Sequence, residues 1–136
     1  MQNKGLVKDY LQRSAARIKA LQTLYDEKSW SDVVRESQEI VELCLKALLR
    51  HNNVLPPRVH DVSPALEENL ELFPKKTHKD IAKLIKYSRT LRRDRELAYY
   101  GSDDLTPSEF YKKEDAISAK KMANETFDLV FAWCKN

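Results

Sequence analysis

"VVRESQEIVELCLKALLRH", residues 33–51, decides the fold. Val33, Ser37, Ile40, Val41, Cys44, Ala47 and Leu48 recur at spacings of three and four, which puts them on one side of an α-helix. The run contains neither Gly nor Pro and is built largely from strong helix formers. A helix of this length draws most of its stability from partners that cover its apolar side. The question is whether the flanking sequence supplies them.

Upstream, Leu6, Tyr10, Leu11, Ser14, Ile18, Leu21 and Tyr25 form a second stripe, which predicts a first helix over residues 4–28. Between the two stripes Ser29 precedes Asp32 by three residues, the pattern of a capping box. The two helices are therefore expected to form an antiparallel hairpin. Downstream, "NNVLPPRVH" cannot be helical at Pro56-Pro57 and reverses the chain. Ser63 as N-cap with Pro64 at the first helical position opens a short third helix, and Thr77 with Asp80 is a second capping-box candidate. A fourth helix runs from there to Tyr100, with Gly101 placed for a left-handed C-terminal cap. Thr106, Pro107 and Glu109 supply N-cap, first and third positions of a last helix. Its inner stripe, Ala116, Ala119, Ala123, Val130 and Trp133, is small in its first half and lets a neighbouring helix come close.

Two glycines and five prolines in 136 residues, with a third of the chain charged, leave few turn residues for hairpins. The expected fold class is all-α: an antiparallel bundle of four to five helices forming a single domain over residues 1–136. No apolar stretch reaches the roughly 18 residues of a membrane span. "MQNKGLVKDY" lacks the apolar run of a signal peptide, so a cytoplasmic location is expected. Cys44 and Cys134 are expected to be reduced, buried thiols. No metal site or cofactor is expected: His51 and His78 have no acidic or Cys neighbours at ligand spacing, and two glycines leave no phosphate loop.

The chemistry concentrates in "SRTLRRDRELAYYG", residues 88–101. On a helical wheel Ile81, Leu84, Ile85, Ser88, Leu91 and Tyr99 share the core side. Lys79, Lys83, Lys86, Arg89 and Arg93 fall opposite, as a solvated face or as a phosphate-contacting strip. Arg95 lies in line with the apolar stripe and Arg92 lies beside it. A guanidinium there needs a carboxylate, from Glu36, Glu39 or Glu42, or it opens into a polar site. Ser37 and Gln38 are the polar neighbours of those acids. Tyr99 and Tyr100 close the same turn, as core residues or facing a ligand. His60 beside Asp61 is either a residue of the turn into the third helix or a member of a site.

The order "DYLQRSAARIKALQTLY", "ESQEIVELCLKALL", "LPPRVHDVSPAL", "RTLRRDRELAYYG" and an Ala-spaced final helix resembles the HEPN family, from about Tyr10 to Trp133. Gln38, Glu42 and "LKALL" with "PPRVHDV" carry the resemblance most specifically. It implies an all-α homodimer, in many bacterial cases encoded beside a minimal nucleotidyltransferase in two-component or toxin–antitoxin systems. Some members are metal-independent ribonucleases that pair an Arg with a His shortly after it on the penultimate major helix; others bind nucleotide or RNA. The motif's Arg falls on Arg95, but its His is absent, and Tyr100 stands five residues on. A phenol with an ordinary pKa near ~10 is a poor acid–base catalyst at neutral pH. The resemblance thus implies a non-catalytic module that binds nucleotide or RNA phosphate through Arg92, Arg95, Tyr99, Tyr100, Glu42 and Gln38. The alternatives are a ribonuclease toxin using Arg95 with Tyr100 or His60, and a purely structural dimeric partner.

Overall fold

A computed structural model describes residues 4–58, 61–100 and 106–135, the side chains of 94–100 excepted. Among the described residues six α-helices and no strand occur: α1 (Lys4–Asp26), α2 (Trp30–His51), α3 (Ser63–Glu68), α4 (His78–Tyr100), α5 (Pro107–Phe110) and α6 (Lys113–Trp133). Two 3₁₀ turns, Leu70–Leu72 and Lys75–Thr77, connect α3 to α4. The four long helices make the all-α bundle; α3 and α5 are single turns or little more.

The helix of the opening stretch is central. α2 packs against α1, α4 and α6. The expected stripe is buried throughout, and so are Val34, Gln38, Glu42, Leu45 and Leu49. A helix covered on three sides cannot keep a single wet face, so a one-stripe reading undercounts its burial. Leu45 and Leu49 are fully enclosed; each such side chain contributes about 1.5–3 kcal/mol on leaving water.

α1 and α2 are antiparallel. Arg17 on α1 donates to Glu36 at 2.7 Å, and Ser14 lies against Cys44, so residues nearer the start of α1 meet residues nearer the end of α2. α1 ends at Asp26, two residues short of the expected bound, because Lys28 adopts a positive φ of 59°. Its N–H reaches Tyr25 O and that of Ser29 reaches Leu24 O, closing the C-terminal turn. Among the described residues other than glycine, Lys28 and Asn53 take positive φ.

Three capping expectations are corrected. Ser29 Oγ donates to Asp32 Oδ2 at 2.7 Å and makes no bond to the helix backbone. Thr77 turns back to Pro74 O at 2.6 Å within its 3₁₀ turn, and Asp80 lies 3.7 Å from Lys83. Ser63 is the first helical residue of α3 and Val62 holds the N-cap position; Asp61 Oδ1 accepts from Ser63 N at 3.1 Å and from Ser63 Oγ at 2.8 Å. Thr106 and Glu109 do form a reciprocal box, but it starts α5. The last helix restarts after Tyr111, with Asp115 accepting from Lys112 N at 2.8 Å. Tyr111 is buried, and its extended backbone breaks the helix to place the ring. The Gly101 cap lies outside the described residues.

α6 packs against α2, and its small stripe, Ala116, Ala119 and Ala123, is buried. Small side chains reduce the separation of the two axes. Cys44 and Cys134 are free and buried. Among the described residues no helix is long and apolar enough to cross a membrane.

Candidate nucleic-acid interface

The position of α4 follows from its sequence. Ile81, Leu84, Ile85, Ser88 and Leu91 are buried, which leaves the other side of the helix outward. Lys79, Lys86, Arg89, Arg92 and Arg93 are exposed. At about 1.5 Å rise per residue, Lys79 and Arg93 stand about 21 Å apart along the axis. Arg92 joins this face and lies in solvent.

Two members of the ridge are held by neighbours. Lys83 bonds Glu125 of α6, whose carboxylate also accepts from Tyr87 at 3.0 Å. The Lys83 bond, with help from Tyr87, holds the Glu125 carboxyl below its ordinary value. Tyr87 is pushed up, first by burial and then by the same carboxylate, and Lys83 is raised by Glu125. This trio ties α4 to α6. Arg89 pairs with Glu67 of α3, and its Nε donates to Ser63 Oγ at 3.2 Å. Asp61, Ser63, Arg89 and Glu67 thus form one chain from the start of α3 to the middle of α4.

Between these helices lies a groove of about 650 Å³. Leu70, Ala82 and Ile85 give it an apolar floor, and Lys86, Arg89 and Arg93 outnumber the single carboxylate of Glu67. A net positive rim around an apolar floor suits a ligand with phosphate and a planar base.

The second polar feature is on α2. Gln38 Nε2 donates to Glu42 Oε2 at 3.2 Å, and Lys46 lies 3.0 Å from Glu42 Oε1. Gln38 and Glu42 are 4% and 7% exposed and Lys46 is half-buried, so the trio is a ladder along about two turns that runs from the interior toward the surface. Among the described residues Gln38 Oε1 and Ser37 Oγ have no hydrogen-bond partner. A buried acceptor left open is a costly arrangement that a donor from a ligand or another side chain would relieve.

Of the residues named from sequence, Gln38 and Glu42 come together and Arg92 is exposed on the basic face. Glu36 is engaged by Arg17 of α1 at 2.7 Å. The side chains of Arg95, Tyr99 and Tyr100 and the whole of His60 lie outside the described residues; the backbone of the first three belongs to α4. Three ion-pair partners at these features escaped the sequence reading: Lys46, Glu67 and Glu125. The spacing of Glu42 and Lys46 by four residues was a readable signal. Glu67 and Glu125 are 22 and 38 residues from Arg89 and Tyr87, and nothing local announces those pairs. Among the described residues no group of three His, Cys, Asp or Glu could hold a metal ion.

A family model described as the HEPN domain matches residues 7–133. No curated protein and no solved structure matches the chain. The match spans α1 to the end of α6, including both the basic face and the α2 ladder, and the chain belongs to the HEPN family.

Proposed function

We propose that this HEPN protein is a non-catalytic module that binds nucleotide or RNA phosphate. It would act as a single domain, in a homodimer, in the cytoplasm, with a minimal nucleotidyltransferase as partner in a two-component system. The observation that carries the reading is the outward basic face of α4 above an apolar groove, with Arg89 held in place by Ser63 and Glu67. A guanidinium whose orientation is already fixed loses little entropy on meeting a phosphate. Arg95, Tyr99 and Tyr100 continue the same helix and are the proposed extension of the site. In this reading Gln38 and Glu42 support that extension from α2. The missing His of the family's ribonuclease pair supports binding over cleavage.

The test is a fluorescence-anisotropy titration of labelled single-stranded RNA with wild-type protein, Arg92→Ala and Arg95→Ala, in chelator. Gel analysis of the same samples follows RNA integrity. Binding that both substitutions weaken, with the RNA intact, supports the proposal. Cleavage that disappears in Arg95→Ala would make the protein a ribonuclease. Equal affinities for all three proteins would remove these arginines from the account.

A further inference from the structure

A second concavity lies at the end of the bundle where the start of α1 meets the ends of α2 and α6. Its volume is about 450 Å³. Val7 and Leu11 of α1 and Cys134, just past α6, line it and are each more than nine-tenths buried. Ala15 and Phe131 complete the apolar lining, and Phe131 stays 46% exposed, a large ring left in water at the edge of the cavity. Lys4, Lys8 and Lys135 line the same cavity and are exposed, with His51 and Gln12 beside them. No carboxylate side chain is among its described lining residues.

An apolar lining gains from a ligand tail that displaces water, and lysines with no carboxylate side chain among the described lining residues favour a negative head group. A second copy of the chain is disfavoured at this face, because a two-fold contact would set its lysines against the same lysines. The bare sugar–phosphate backbone of a nucleic acid would meet the cations but leave the apolar lining wet. The volume equals that of about fifteen waters at ~30 Å³ each, which leaves room for a chain of about ten carbons.

We propose that this cavity binds a straight-chain aliphatic carboxylate, its tail along Val7, Leu11 and Phe131 and its carboxylate among Lys4, Lys8 and Lys135. The site is separate from the basic face of α4 and does not depend on the RNA-binding reading.

The experiment is a calorimetric titration of the full chain with decanoate below its micellar concentration, alongside octanoate and decyltrimethylammonium. One saturable site is expected for decanoate. Octanoate, shorter by two methylenes, should bind roughly tenfold more weakly. The quaternary ammonium should give no saturable heat. Ala15→Trp should fill the cavity and abolish binding, with helicity unchanged by circular dichroism. The exposed double substitution Lys8→Glu with Lys135→Glu, which leaves the apolar lining intact, should weaken decanoate about tenfold. Absence of saturable decanoate binding, equal binding of the ammonium, or undiminished affinity in the charge-reversed protein would each overturn the proposal.

Discussion

Lys46 Nζ sits 3.0 Å from Glu42 Oε1, one turn further along the central helix, and Gln38 donates to the other oxygen of the same carboxylate. Glu42 is 7% exposed, so its cation is part of what makes burial tolerable. Lys46→Ala is expected to destabilise the protein by about 1–3 kcal/mol. Lys46→Arg should retain most of the stability, and adding Glu42→Gln to Lys46→Ala should recover part of the loss. Urea denaturation of the four proteins measures this; an unchanged midpoint in Lys46→Ala would show that the pair contributes nothing.

The contact of α6 with α2 depends on small side chains. Ala123 of α6 is fully buried. Ala123→Leu has no room without separating the helices, and a loss of about 1–3 kcal/mol is expected. Thermal unfolding by circular dichroism checks it, with Ile117→Ala on the same helix as the surface control, since Ile117 is 47% exposed. A larger loss in the control than at Ala123 would contradict the packing argument.

Glu125 gives the fold a definite pH response. Its carboxyl lies below the ordinary value of 4.5 because Lys83, and then Tyr87, hydrogen-bond it. A depressed acid contributes stability that is present above its unfolded value and lost as pH falls through its folded one. Glu125→Gln should therefore be less stable than wild type at pH 7, with the difference shrinking as pH falls below the ordinary carboxylate range. Melting curves at a series of pH values decide this; a constant difference would uncouple Glu125 from the response.

Both thiols are pushed up to about 12 by burial. The thiolate is the reactive form, so neither cysteine should react readily with a thiol reagent at pH 8 while the protein is folded. Two equivalents should react per chain once denaturant is added. Rapid native labelling of Cys134 would show that the end of α6 opens, and rapid labelling of Cys44 that α2 loses its cover.

On the basic face of α4, Lys79→Gln and Lys86→Gln remove exposed charges without touching the core. For each lysine that contacts a phosphate, the slope of log affinity against log salt should fall by about 1, with similar losses for every RNA sequence. Anisotropy titrations at several salt concentrations give the slope. An unaltered slope in both variants would move the interface off this face.

Periodicity in the chain was sufficient for the four long helices, because residues three and four apart meet on one face whatever lies beyond them. The stripes through Leu11, Ile40, Leu84 and Ala119 are local properties, and so are the turn at Pro56-Pro57 and the helix start at Pro64. The family was legible for the same reason: its pattern is an order of local segments. What one helix does to another was not legible. That α2 is enclosed on three sides, burying Gln38 and Glu42 beyond the expected stripe, depends on how α1, α4 and α6 are arranged around it. That Ser63 receives Arg89 depends on where α4 passes. Hydrogen bonds between helices join residues whose separation in sequence carries no signal, and only the packed bundle sets which donor stands within reach of which acceptor.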